Sequence, residues 1–174
     1  MSAILTPRLE LVPITLEMVE AVMCGDRRSA ETAAEAELPE AWPGRALIER
    51  AFTASLEAIR ADPRRRLWGD RLLIPRQGNR RVIGSVVFNG FPENGVAHVG
   101  YGVEEGSQGL GFATEATRAC VDWALQQEGI VAVRAETFRW HRASRRVIEK
   151  LGMAKVGARD HELLGEVLVF ERRR

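Results

Sequence analysis

The spacing of apolar side chains predicts how the chain begins. Leu9, Leu11 and Pro13 occupy alternate positions, the pattern of a strand with one buried face. Thr15 then provides an N-cap for a short helix that continues to about Met23. We therefore expect one strand followed directly by one helix.

Two further helices are predicted before the next strand. Residues 28–37 are rich in Ala and Glu and nearly without large apolar side chains, so we expect this helix to be exposed and mobile. After a loop that contains Pro and Gly, apolar side chains recur at intervals of four, four and three, which indicates one helical face. These side chains are Ile48, Phe52, Leu56 and Ile59.

The middle of the chain predicts three consecutive antiparallel strands. Residues 67–75 and 82–88 are joined by a loop that contains Gly78, the arrangement expected of a hairpin. A second turn over residues 90–95 leads into a third strand at 96–103.

The remaining elements alternate between helix and strand before a final hairpin. In order they are a helix at 111–127, a strand at 130–137, a helix at 142–151 that Gly152 ends, and strands at 153–158 and 167–172. This order favours a mixed α/β fold, with a mainly antiparallel sheet of about seven strands flanked by four or so helices. We expect one domain over residues 1–174.

Composition narrows the possible functions. The 174 residues are 45% hydrophobic, and 25 basic against 24 acidic residues leave a formal charge of +1. Such a balance gives no global positive field for nucleic acid or anionic lipid, so any anion site must be local. Cys24 and Cys120 lie far apart in helical patterns, and we expect core thiols, with no disulfide and no metal site. No apolar leader and no 18-residue apolar run occur, so a cytoplasmic protein is expected, with no membrane partner.

A glycine-rich segment between a predicted strand and a predicted helix is the main chemical signal. It consists of Gln108, Gly109, Leu110, Gly111, Phe112, Ala113 and Thr114. Successive backbone N–H groups that lead into a helix N-terminus form a site for phosphate or pyrophosphate. A plain turn into a helix is the structural alternative. A dinucleotide fingerprint is a poorer match, because Thr114 occupies the third glycine position.

This segment resembles the acyl-CoA pyrophosphate loop of the GNAT superfamily of N-acyltransferases. The flanking residues are similar to the branch that includes ribosomal-protein N-terminal (alanine/serine) acetyltransferases. The matching stretches are Thr6-x-Arg8-Leu9-x-Leu11, Gly100-Tyr101-Gly102-Val103, Thr114-Glu115-Ala116, Ala135-x-Thr137 and Ala143-Ser144-x-Arg146-Val147-Ile148-Glu149-Lys150-Leu151-Gly152-Met153. The resemblance implies a GNAT-like fold and acetyl-CoA as co-substrate, without a metal. It also implies that Tyr101, Gly102 and Val103, the loop residues 108–114, His141 and Ser144 contact the cofactor.

Two positions depart from that branch. His141 stands where Asn is usual, and Arg139 stands where Pro is common. The tyrosine that is the general acid in many superfamily members would fall at Ile148, which carries no proton to donate. Ser144 is the matched donor for the departing thiolate, with a helix-capping serine as the alternative.

Amide formation needs a neutral amine, which a base on the protein can provide. A lysine amine is neutral in roughly one molecule in two thousand at pH 7, and an α-amine in about one in ten. His98 is the first candidate, since its ordinary pKa suits proton acceptance near neutrality and its predicted strand leads to the loop. Glu136 on the following strand is the second. A packed or solvated side chain is the alternative for each.

The acceptor is expected to be a primary amine on a small molecule or a protein N-terminus, bound by a monomer or homodimer. Trp42, Trp68, Phe88 and Phe91 are candidates for an apolar acceptor pocket, although most such rings are core residues. One alternative is a non-catalytic acyl-CoA-binding or sensor module of the same fold. Another is an arginine-rich nucleic-acid-binding module, against which the balanced charge argues.

Overall fold

The protein is described here from a computed structural model. The structure describes residues 3–40, 62 and 68–174. The predicted helical face at 48–59 and the pocket candidate Trp42 lie outside the described residues.

Eight strands and four α-helices are present in the described ranges. The strands are β1 (Ile4–Leu5), β2 (Leu9–Pro13), β3 (Asp70–Pro75), β4 (Gly84–Phe88), β5 (Val96–Val103), β6 (Ala132–Phe138), β7 (Ala154–His161) and β8 (Gly165–Arg173). The helices are α1 (Leu16–Met23), α2 (Arg27–Ala34), α3 (Phe112–Gln126) and α4 (Arg142–Lys150), with a 3₁₀ turn at Glu105–Ser107.

The strands form one sheet in the order β1-β2-β3-β4-β5-β6-β8-β7. Neighbouring strands are antiparallel except for β5 and β6, which run parallel. The predicted mixed, mainly antiparallel architecture is confirmed. The additional strand is β1, which the sequence pattern did not reveal because it has only two residues.

Two apolar cores cover the two faces of the sheet. Side chains of α3 and α4, such as Cys120 and Ile148, pack on one face together with Val86 and Val99. On the opposite face, α1 and α2 pack against side chains that include Leu72 and Ile74. Alternation along each strand assigns every second residue to the same face, which fixes the sides on which site residues lie.

The expectation of an exposed helix at residues 28–37 was wrong for one of its faces. Ala30 and Ala34 of α2 are buried, as is Ala36 beyond its end. Small side chains allow α2 to lie close to α1 even though they bury little area each. Asp26 caps the helix, since its carboxylate accepts the Ser29 N–H at 3.0 Å.

The two cysteines differ in environment. Cys120 is fully buried on α3, and burial raises the pKa of its thiol to about 12, so it remains protonated. The expectation of a second core thiol was wrong, because Cys24 is exposed. It is the C-cap of α1, where the chain turns through Gly25 at a φ of +74°.

Asp70 is a carboxylate in a poorly solvated position. It begins β3 on the same face as Leu72 and Ile74, beside the α1–α2 core. Burial raises the pKa of its carboxyl from 3.8 to about 6. The proton is therefore held more tightly in the folded chain than in the unfolded chain, where the pKa is about 3.9.

This asymmetry predicts an unusual pH dependence of stability. A raised carboxyl pKa contributes stability that is complete below pH 4 and is lost as the pH rises through 6, by about 2–3 kcal/mol. Asp70→Asn should therefore increase the free energy of unfolding at pH 7.5 and change it little at pH 4. Urea denaturation at both pH values measures this, with the exposed Glu128→Gln as control. An equal effect of Asp70→Asn at both values would contradict the assignment.

Candidate functional site

The parallel pair β5 and β6 separates before either strand ends. Their ladder runs from Val96 opposite Ala132 to Val99 opposite Ala135 and then stops. Beyond it, β5 continues to Val103 paired with β4, and β6 continues to Phe138 paired with β8. The diverging strands leave a gap in the middle of the sheet, and two cavities lie beside it.

The first cavity, the loop cavity, has a volume of about 440 Å³. It lies between the end of β5, the glycine-rich loop and one side of α4. It is lined by Tyr101, Gly102, Val103, Ser107, Gln108, Gly109, Gly111, Phe112, Ala113, Thr114, His141, Ala143, Ser144, Arg146, Val147 and Lys150. Most residues that the sequence predicted for cofactor contact are thus brought together around one space.

The glycine-rich loop ends at the N-terminus of α3 without a side-chain cap. Gly111 is the N-cap with a φ of +85°, and Gly109 has a φ of +77°, a backbone region that favours glycine. The first N–H groups of a helix lack intrahelical acceptors, and here they border the loop cavity. Gln108 turns its amide back to donate to the Val103 carbonyl at 3.0 Å. The arrangement is suited to an anion bound by backbone donors and the helix dipole.

The start of the chain holds this loop in place. Arg8 donates from Nε to Glu115 Oε2 at 2.7 Å and from Nη1 to the Leu110 carbonyl at 2.9 Å. The Thr6 hydroxyl donates to Glu115 Oε1 at 2.6 Å, and the Arg8 guanidinium lies 4.6 Å from the centre of the Phe112 ring. We call Thr6, Arg8 and Glu115 the loop clamp.

The loop clamp fixes the charge of Glu115 as well as its position. Partial burial raises the carboxyl pKa, but hydrogen bonds from Thr6 and Arg8 outweigh this and hold the pKa below its ordinary value. A carboxylate in the first turn of α3 is also favoured by the helix dipole. The motifs at the start of the chain and after the loop contain Thr6, Arg8 and Glu115, but the sequence alone did not predict that these residues contact one another.

Ser144 and Tyr101 meet where the loop cavity adjoins the gap. The Tyr101 hydroxyl oxygen lies 3.0 Å from the Ser144 carbonyl oxygen and 3.0 Å from Ser144 Oγ. Burial raises the pKa of Tyr101, although its hydrogen bond with Ser144 lowers it in part. The phenol therefore stays protonated at neutral pH. Tyr101 is the only tyrosine in the chain. The residues around it in the sequence do not indicate that its hydroxyl contacts α4.

His141, rather than Ser144, caps α4. Its Nδ1 accepts the Ser144 N–H at 3.4 Å, so the interpretation of Ser144 as a capping serine was wrong. Ser144 is the third residue of the helix, and its hydroxyl is left for the contact with Tyr101. Ile148 is fully buried and lines neither the loop cavity nor the cavity described next.

The second cavity, the strand cavity, has a volume of about 370 Å³. It lies along the separated ends of β5 and β6 and reaches β7. It is lined by Val99, Gly100, Tyr101, Glu136, Thr137, Phe138, His141, Ser144, Arg159, His161 and Val167. Tyr101, His141 and Ser144 belong to both cavities, so the two spaces adjoin at these side chains.

The two base candidates lie in different places. Glu136 lines the strand cavity, where its Oε2 accepts from Arg159 Nη2 at 2.7 Å. His98 pairs with Arg134 across the β5–β6 ladder and borders neither cavity. Leu110 of the predicted loop also lies outside the cavity lining, with its side chain exposed.

Two of the predicted pocket aromatics are core residues. Trp68 and Phe88 are buried, and their ring centres lie 5.2 Å apart. Both also pack on Trp123 of α3, which places them on the α3–α4 face. Phe91 is half exposed beside Trp68.

Two further features of the described residues bear on other functions. None of the described helices combines the length and apolar character required to cross a membrane. Within the same residues, no three His, Cys, Asp or Glu side chains are grouped as metal ligands would be.

Several known proteins are similar to this chain in sequence or in fold. An uncharacterized N-acetyltransferase of Bacillus subtilis (strain 168), YjdG, is 29% identical over 84 residues, a match that spans 48% of this chain and half of that protein. The ribosomal-protein-S5-alanine acetyltransferase from Vibrio fischeri shares the fold at 15% identity and a TM-score of 0.70, covering 99% of this chain and 97% of that one. RimL, a ribosomal L7/L12 alpha-N-protein acetyltransferase in complex with coenzyme A, aligns at 14% identity and a TM-score of 0.68, covering 99% and 98%.

The family assignment rests on sequence. The family described as "Acetyltransferase (GNAT) domain" matches residues 8–154, from the loop clamp through α4 to the first residue of β7. The resemblance drawn from the motifs is thereby confirmed, and this chain belongs to the GNAT acetyltransferase family.

Proposed function

We propose that the protein transfers an acetyl group from acetyl-CoA directly to a primary amine of a small molecule or a protein N-terminus. The observation that carries the proposal is the junction of the two cavities at Tyr101 and Ser144. The loop cavity offers backbone donors suited to a pyrophosphate, and the strand cavity offers a carboxylate suited to an amine. Family membership and the coenzyme A complex of RimL support the same cofactor.

In this proposal the loop cavity holds the cofactor. The N–H groups around Gly109 and Gly111 bind the pyrophosphate. The pantetheine arm lies along the edge of β5 that faces β6 beyond Val99, where the two strands no longer pair, and extends toward the gap. Arg146 and Lys150 line the same cavity and supply positive charge for the 3′-phosphate. The bound thioester supplies the acetyl group.

The strand cavity then receives the amine. Glu136 is placed at its wall and takes a proton from the amine, directly or through water. Arg159 holds the Glu136 carboxylate at 2.7 Å and so limits the orientations it can adopt. The new C–N bond forms as the C–S bond breaks.

The hydrogen bonds of Tyr101 determine how the sulfur regains a proton. A carbonyl oxygen only accepts, so the phenol proton is directed at the Ser144 carbonyl and the serine hydroxyl donates to the phenol oxygen. For the transfer, the Ser144 O–H turns to the departing sulfur, and the Tyr101 O–H turns from the Ser144 carbonyl to Ser144 Oγ and replaces the serine proton. A phenol is suited to this role, because its ordinary pKa of about 10 is much closer to that of a thiol, about 8.5, than an aliphatic hydroxyl's is. Solvent then reprotonates Tyr101.

The first test is cofactor binding. Acetyl-CoA at a hundred times its dissociation constant should stabilise the protein by about 2.7 kcal/mol, which raises Tm by roughly 5–11 °C. Differential scanning fluorimetry with NADH as control measures this. No shift at millimolar acetyl-CoA would contradict the cofactor assignment, whereas a shift without turnover of any amine would support the non-catalytic acyl-CoA-binding alternative.

Arg8→Ala tests the loop clamp. It removes two hydrogen bonds that hold the loop, so acetyl-CoA affinity measured by calorimetry should fall about tenfold. Arg27→Ala is a matched control, since Arg27 is also half exposed and donates from Nε to a glutamate, Glu31, away from the loop. Equal effects of the two substitutions would show that the clamp does not position the cofactor loop.

Tyr101→Phe and Ser144→Ala test the proton pathway. Ser144→Ala should lower kcat about a hundredfold and Tyr101→Phe about tenfold, with little change in KM for acetyl-CoA. Because Tyr101 acts through Ser144, the double variant should be no slower than Ser144→Ala alone. Multiplicative losses in steady-state kinetics would refute this dependence.

Glu136→Gln tests the base. It should lower kcat/KM, measured in steady-state kinetics, about a hundredfold, because an amide is too weak a base to take the proton of the amine. His98→Ala is the comparison, and we expect it to retain most of the activity because His98 borders neither cavity. A larger loss in His98→Ala would transfer the base role to the histidine.

A further inference from the structure

Four aromatic rings are grouped beside the strand cavity, and three of them, Phe138, His141 and His161, line it. The Phe138 and Trp140 rings are nearly parallel, 6° apart in orientation, with centres at 5.3 Å. Trp140 and His141 are parallel within 3°, with centres at 5.6 Å. His161 meets the Phe138 ring nearly at right angles, at 5.9 Å. We call these side chains the ring group.

Trp140 in this group is both fixed and exposed. Its indole N–H donates to the Leu164 carbonyl at 3.1 Å, and yet 62% of the residue is accessible to solvent. The stack therefore leaves ring surface uncovered. A large apolar ring that is held in one orientation, and that stacks on rings lining a cavity, offers contact area at little entropic cost to binding, which is a feature of recognition sites.

The ring group lies close to the reacting centre. Phe138, His141 and His161 line the same cavity as Ser144 and Glu136. His141 precedes Ser144 by three helical positions, a rise of roughly 4.5 Å, and its ring is bonded to the Ser144 N–H. An acceptor whose amine reaches Ser144 and Glu136 therefore has its next few atoms beside these rings.

We propose that the ring group is an acceptor subsite for an aromatic ring carried about two carbon atoms from the reacting amine. The inference rests on the proposed function and narrows its acceptor to a 2-arylethylamine unit. Parallel rings at these separations favour a flat partner over an aliphatic one of equal size, since offset stacking adds to the area buried. The same unit occurs in free arylethylamines and in a peptide whose first residue is aromatic.

The experiment compares amines of equal length. Acetylation of 2-phenylethylamine and 2-cyclohexylethylamine is measured with the wild type, Trp140→Leu, Trp140→Phe and Leu163→Ala. Leu163 is the control because it is an exposed apolar residue, 87% accessible, in the same turn as Leu164. Calorimetric titration of both amines into the free and the CoA-loaded protein gives a second readout that does not require turnover.

We expect wild-type kcat/KM to favour 2-phenylethylamine by about tenfold. Trp140→Leu should reduce that ratio to near one, while Trp140→Phe and Leu163→Ala retain it. A wild-type ratio near one, or an unchanged ratio in Trp140→Leu, would overturn the subsite.

The outcomes separate the two proposals. If the protein binds acetyl-CoA but acetylates only amines without an aromatic ring, the proposed function is supported and the ring subsite is refuted. If no amine is acetylated, the proposed function fails, and the subsite is decided by whether Trp140→Leu removes the difference in binding between the two amines.

A comparison of peptides that begin with phenylalanine or cyclohexylalanine distinguishes a protein N-terminus from a free amine as the source of the ring.

Discussion

The early end of the β5–β6 ladder is the constraint on which the site depends. A parallel pair held together along its whole length would close the sheet and separate the two faces. Here pairing stops at Val99 and Ala135, and each strand continues only with its outer neighbour. The gap makes Tyr101 on one side and Glu136 on the other accessible to the same space. The central opening therefore comes from strand pairing, and the side chains determine its chemistry.

The loop cavity on one side of this opening depends on contacts between distant parts of the chain. Glu115 in the first turn of α3 receives hydrogen bonds from Thr6 and Arg8, more than a hundred residues earlier. The backbone donors of the loop can be presented in a fixed arrangement because this clamp and the Gln108 amide hold both ends. A site of this kind is built mainly from backbone N–H groups, so its function depends on how the loop is held more than on the loop's own side chains.

Sequence patterns predicted the fold well and the site in part. Periodicity located β3 to β6, β8 and the helices α3 and α4 because each has buried apolar residues, whereas the two-residue β1 is too short to show a period. The exposure of α2 was misjudged because alanines give almost no hydrophobic signal and are nevertheless buried against α1. The roles of Tyr101 and His141 could not be predicted from spacing. They depend on contacts across the gap and on which residue caps α4.

Family membership determines the structure of the loop cavity more closely than the side chains of the strand cavity. The loop cavity follows from a backbone motif that matched in order and spacing, so the cofactor is the better determined half of the reaction. The strand cavity is built largely from side chains on β6, β7 and the start of α4, including Glu136, Arg159 and three rings of the ring group. Such side chains can change without altering the sheet, and one fold can therefore serve many acceptors. The identity of the acceptor has to be argued from these rings and charges rather than from the fold.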